Sequence, residues 1–180
     1  MRIILFITLL LFPLTSATAN EKFGLAMVGG PKYSATDTHF TYANADAPKG
    51  GVLKQAASGG FDTLNPYTIK GKAPQGINLV TDQLMARAWD EPFTMYPLIA
   101  QSVDIPDDRS AITFNLNPKA RFHDGTPITA DDVLFSYNTL KEKGRPNQRR
   151  IYKLATATKI NDSTIKFQFS EGYDRETALI

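Results

Sequence analysis

Between Arg121 and Leu140 the chain reads RFHDGTPITADDVLFSYNTL, a stretch that holds one histidine and three aspartates. His123 with Asp124 has the composition of an acid–base pair, and Asp131 with Asp132 that of paired carboxylates or a metal clamp. Both chemical readings meet a geometric objection. Adjacent helical side chains point about 100° apart, so Asp131 and Asp132 do not close symmetrically on one small group. A His–Asp dyad needs a nucleophile brought close by the fold, and nothing in the chain singles one out. The same residues also spell a turn followed by a helix start.

Other candidate acids are Asp90-Glu91, ahead of Pro92, and Asp107-Asp108, in the loop from Ile105 to Arg109. They are what a secreted hydrolase would use, the rival reading from another functional class. Carboxylate pairs that do chemistry usually come from separate elements about 5 to 10 Å apart, so adjacent acids read first as turn and surface residues. Gly29-Gly30 lacks the strand-to-helix fingerprint of a phosphate cradle and reads as a tight turn. With no cysteine and only His39 and His123, cysteine-built zinc sites are excluded and a histidine-rich metal site is disfavoured. No cofactor is implied.

The first nineteen residues, MRIILFITLLLFPLTSATA, carry one cation at Arg2, an apolar run from Ile3 to Leu14 and a small-residue end at Ala17-Thr18-Ala19, the pattern of a secretory signal peptide. The run is too short for a membrane span, which takes roughly 20 residues. Cleavage after Ala19 is expected, giving a mature chain from Asn20 with no stable membrane insertion. Export without disulfides or a lipid-accepting cysteine suits a bacterial periplasm. The formal net charge of +2 favours no particular partner. One stretch, KEKGRPNQRRIYK from Lys141 to Lys153, sets six cations against Glu142. It lacks the interleaved aromatics of a nucleic-acid patch and reads as a solvated helix end and loop.

The elements follow from periodicity. Residues 20–50 are rich in Gly, Pro, Ala, Asp and Asn and read as loop. Alternation predicts a strand from Val52 to Ala57 that stops at Gly59-Gly60. Ile77, Val80, Leu84 and Ala88, three or four apart, predict a helix over 77–88 stopped by Pro92, with Trp89 in the core. Ile112, Phe114 and Leu116 predict a strand ended by Pro118. Ile160, a turn at Asn161-Asp162, and the alternating Ile165, Phe167 and Phe169 predict a half-buried hairpin. In the opening stretch, His123-Asp124-Gly125-Thr126-Pro127 is a turn. Thr129 and Asp132 have capping-box spacing for a helix that puts Val133, Tyr137 and Leu140 on one side and ends near Gly144.

At these residues a resemblance emerges. LNPKARFHDGTPITADDVLFSYNTL resembles the signature of bacterial solute-binding protein family 5, the extracytoplasmic receptors for oligopeptides, dipeptides, nickel complexes and related solutes. Leu116, Ala120, Arg121, Phe122, Asp124, Gly125, Pro127, Thr129, Ala130, Asp132, Val133, Phe135 and Tyr137 stand where that pattern places them. YANADAPKGG, GGFDTLNPY, DEPFTMYPLIAQS and DDRSAITFNLNP are similar to the branch that takes up peptides and peptide-like antibiotics of the microcin C kind.

The resemblance implies a mixed α/β fold, a mixed sheet with flanking helices forming an incomplete first lobe of a type II periplasmic-binding-protein-like fold. It implies a periplasmic receptor, not an enzyme, that delivers a peptide or peptide-like ligand to the permease subunits of an ABC importer. Family members are longer and close two lobes on the ligand. Residues 20–180 are therefore expected to be the amino-terminal part of lobe I, as a fragment or a truncated gene product, and a non-functional remnant is a further alternative. Gly59, Gly60, Phe61 and Asp62 match the region along the cleft, where glycines let a ligand backbone approach and Phe61 offers an apolar wall. Asp90 and Glu91 are candidates for holding a ligand amine or basic side chain.

Overall fold

The structure, a computed structural model, describes residues 21–174. The signal-peptide reading of residues 1–19 and the end of the chain from residue 175 lie outside them. Among the described residues there are two antiparallel sheets and two α-helices. The larger sheet contains β1 (Glu21–Lys22), β5 (Ala100–Asp104), β6 (Ala111–Leu116), β8 (Thr164–Phe169) and β7 (Ala155–Asn161), in that spatial order. The smaller sheet has the order β2 (Leu25–Ala26), β4 (Thr94–Pro97), β3 (Met85–Arg87). Helix α1 spans Ala130–Lys143 and α2 spans Pro146–Tyr152. No helix among the described residues is long and apolar enough to cross a membrane.

The alternating segments become the centre of the molecule. β6 pairs with β5 on one side and β8 on the other, with Ile112 opposite Phe167 and Phe114 opposite Ile165. Ile112 and Leu116 are buried and Ile165 has no exposed surface. Phe114, Phe167 and Tyr137 of α1 meet edge to face, with ring centroids 5.8 and 5.3 Å apart in successive pairs, an arrangement suited to the ring quadrupoles. Ala130 and Tyr137 turn into this layer, while Phe135 faces out. A second cluster, Leu25, Met85, Val103, Ile105 and Ile112, joins the two sheets.

The start of α1 follows the local pattern. The Thr126 amide and hydroxyl donate to Asp124 Oδ1 at 2.9 and 2.7 Å, and Gly125 takes φ +88°. Asp132 Oδ2 reaches back to the Thr129 amide at 2.8 Å and accepts its hydroxyl at 2.7 Å. The Ala130 amide donates to the Asp162 carbonyl at 2.8 Å, which fastens the helix start to the β7–β8 turn.

Four expectations need correction. The helix over 77–88 is instead a 3₁₀ turn at Ile77–Val80 followed by β3, because residues 85–87 pair with β4 and bury Met85 there. Of the predicted face Val80 stays exposed, while Leu84 packs on the core and Ala88 is buried against Tyr33 and Tyr96 without any helix to align them. No strand forms at Val52: residues 50–60 are exposed throughout and find no partner strand among the described residues. Trp89 is 90% exposed, not core, because the chain leaves β3 before reaching it. The basic loop after α1 is itself largely helical, since Pro146 is preset for a first helical turn.

Candidate ligand-binding site

The loop candidates sit on a compact irregular excursion. Asp62 faces back into its own loop: Oδ1 accepts the Lys72 amide at 2.6 Å, and the Asp62 amide donates to the Lys72 carbonyl at 3.0 Å. Closing this ring brings Gly71 against Thr63, where an added Cβ at φ +100° would lie 2.9 Å from Thr63 Cγ2. The far side is held by Arg145, whose guanidinium donates to the carbonyls of Pro66 at 3.1 Å and Thr68 at 3.4 Å. Asp62 is thereby a loop former, whereas Gly59, Gly60 and Phe61 stay exposed on the loop's outer edge. Gly59 takes φ +96°, a conformation that a side chain would strain.

Asp90 and Glu91 follow the end of β3, and both are engaged. Asp90 Oδ2 accepts Lys32 Nζ at 2.6 Å, the Tyr33 hydroxyl at 2.6 Å and the Thr41 hydroxyl at 3.4 Å. Glu91 accepts the Lys32 amide at 3.0 Å and the Tyr96 hydroxyl. The bond from Lys32, then that from Tyr33, holds the Asp90 carboxyl below the usual carboxylate range, and Asp90 in turn raises Lys32. Burial, with Glu91 beside it, pushes the Tyr96 phenol up to about 12. Around these bonds Tyr33, Tyr96 and Phe40 pack edge to face at 5.1 to 5.5 Å. The two acids pin the segment Lys32 to Thr41 onto the small sheet. A ligand amine at Asp90 would have to share the carboxylate with Lys32.

His123 and the three aspartates of the Arg121–Leu140 stretch go separate ways. His123 is exposed on the turn, and its neighbour Asp124 is occupied by Thr126, whose amide and hydroxyl lower its pKa. Asp131 pairs with Lys159 at 2.6 Å, shared with Asp162, while Asp132 caps the helix. Among the described residues no three histidine or acidic side chains gather where they could hold a metal ion.

What periodicity missed lies between residues 87 and 94. There a hollow of about 190 Å³ opens between Arg87, Trp89, Glu91 and Phe93. Single exposed aromatics leave no period to detect. The only sequence signal was the lone tryptophan beside a proline stop.

Residues 94–180 match the family model described as bacterial extracellular solute-binding proteins, family 5 middle. The peptidoglycan-binding protein YepA of Agrobacterium fabrum is 41% identical over 179 residues, covering 94% of this chain and 29% of that protein. The uncharacterized protein YejA of Escherichia coli is 37% identical, covering 94% and 28%. The probable peptide-binding protein YejA of Agrobacterium fabrum is 39% identical, covering 87% and 26%. This chain thus spans less than a third of the length of these relatives. Among solved structures, NikZ from Campylobacter jejuni in complex with Ni(L-His) has a TM-score of 0.51 at 24% identity, over 64% of this chain and 23% of that one. NikA from Brucella suis in complex with Fe(III)-EDTA has a TM-score of 0.53 at 20% identity, over 61% and 22%. The shared fold is the mixed α/β, type II periplasmic-binding-protein fold.

Proposed function

Since the chain belongs to the bacterial extracellular solute-binding proteins of family 5, we propose that it serves as the substrate-binding component of an ABC importer for oligopeptides or peptide-like compounds. The family is one of binding proteins, not of enzymes. Residues 20–180 form the amino-terminal part of its first lobe, exported to the periplasm by the segment 1–19. The observation that carries the reading is the β6–turn–α1 unit, where the family pattern and the geometry coincide at Asp124, Gly125, Thr129 and Asp132. Peptide as the ligand class is supported by two relatives, one named for peptide binding and one for peptidoglycan binding, since peptidoglycan too contains peptide. Gly59, Gly60 and Phe61 supply a wall that ligand backbone can approach, Asp62 shapes it, and Asp90 and Glu91 stand at a second, acidic edge.

In such receptors affinity comes from two lobes closing together, so the 180-residue chain binds weakly by itself. The test is uptake. Deleting the gene from its own bacterium lowers accumulation of a labelled mixed-peptide pool, and restoring it returns uptake. Unchanged accumulation in the deletion strain overturns the reading.

A further inference from the structure

The loop over residues 59–72 takes its shape from bonds within itself. Asp62 and Lys72 close its base, and at its tip Asn65 Oδ1 accepts the Tyr67 amide at 2.9 Å while the Asn65 carbonyl accepts the Thr68 hydroxyl at 3.2 Å. Bonds that span so few residues leave the loop's place on the molecule open. Among the described residues, the hydrogen bonds that join this loop to a helix or a sheet are those from Arg145 to the carbonyls of Pro66 and Thr68, which bridge 79 and 77 residues of chain. A second contact lies beside them. Burial, followed by the nearby Tyr67 phenol, pushes the Tyr152 phenol of α2 up, so the loop tip and α2 share one neighbourhood.

The backbone that carries Arg145 is fixed from both sides. Pro146 confines the residue before it to extended backbone, and Arg145 stands at φ −59°, ψ 154° with its amide donating to Gln148 Oε1 at 3.0 Å. The corner ahead of it is set as tightly. Gly144 is buried, its amide donates to the Leu140 carbonyl at 3.0 Å, and a Cβ added there would lie 2.3 Å from that carbonyl oxygen. Glycine is therefore required where α1 gives way to α2, and the guanidinium starts from a rigid point. A planar guanidinium presents several donors at once, so it can hold two carbonyls of one turn.

We propose that Arg145 is the positioning residue of the ligand wall: it latches the 59–72 loop onto the corner between α1 and α2, and so sets where Gly59, Gly60 and Phe61 stand. The latch couples that wall to the unit in which the family pattern is concentrated. Its purpose rests on the peptide-binding reading, whereas the latch itself rests on the bonds of Arg145 alone.

The experiment has two arms. In the first, amide hydrogen exchange of the chain is followed by mass spectrometry for the parent, Arg145→Met, which keeps the stem and loses the donors, and Arg145→Lys. Arg145→Met speeds exchange over residues 62–72 about tenfold, leaves residues 155–169 unchanged and barely moves the melting temperature, and Arg145→Lys recovers part of the protection. Unchanged exchange over 62–72, or an equal rise over 155–169, overturns the latch. In the second arm the deletion strain carries the gene with Arg145→Met, and uptake of the labelled peptide pool is measured against its concentration. A displaced wall raises the half-saturating concentration several-fold and leaves the maximal rate alone, which a loss of folded protein would not do. Faster exchange with an unchanged half-saturating concentration, or with a fall in maximal rate alone, overturns the positioning role and leaves the peptide-binding reading intact. A deletion strain without an uptake defect overturns that wider reading, and the positioning role with it, while the exchange arm still decides the latch.

Discussion

Ala111 to Leu116 and Val52 to Ala57 are both short alternating stretches, yet the first lies between two partner strands and the second pairs with none among the described residues. β6 receives β5 across a short connection and β8 from the hairpin that α1 covers, so its alternate residues are buried as soon as its edges are filled. The Val52 stretch, VLKQAA, alternates too but carries one β-branched residue where β6 has isoleucine, threonine and phenylalanine, and Val52 and Leu53 remain 86% and 83% exposed. Alternation therefore states a capacity, and a partner edge converts it into structure. The stretch over 77–88 teaches the same point from the other side: a helical period was present, and pairing of residues 85–87 with β4 outweighed it.

Four measurements break or sharpen this contrast. The largest effect belongs to the filled edge. Ile165→Ala removes a fully buried side chain between Phe114 and α1 and should cost about 2 to 5 kcal/mol by denaturant unfolding of the chain; a loss no greater than a surface substitution would mean that this sheet is not the stable unit. Next is Tyr137→Phe. The Tyr137 hydroxyl bonds the carbonyls of Tyr152 and Ala155 and accepts Lys141 Nζ at 3.1 Å, so its removal should cost about 1 kcal/mol, with Lys141 still serving Ala155.

The third measurement concerns Asp90. Its folded pKa lies below the ordinary 3.8, so it adds stability above that value and loses it as pH falls through the lowered one. Asp90→Asn should lower the melting temperature at neutral pH and flatten its fall in acid. Asp37, Asp124 and Asp162 are lowered too and keep part of the slope. Identical acid limbs in the two proteins would remove Asp90 from the tether of Lys32 to Thr41. The smallest effect is expected at Val52→Ser, within about 0.5 kcal/mol of the parent. A clearly larger loss would place a packing partner on that stretch and erase the contrast.

Some features depend only on chain neighbours, and those the sequence by itself determined. The Asp124–Thr126 turn, the Thr129–Asp132 helix start, the end of α1 at Gly144 and the Asn161–Asp162 hairpin all close bonds over a few residues, so type and spacing suffice. The family pattern is concentrated in that same unit. Other features required pairing across long stretches of chain. That β3 is a strand, that Asp90 and Glu91 are taken by Lys32, Tyr33 and Tyr96, and that Trp89 is left in water were decided by tertiary structure alone. The physical reason is that local bonds are fixed by residues already adjacent, whereas a strand or an ion pair needs a partner whose position the whole fold must supply.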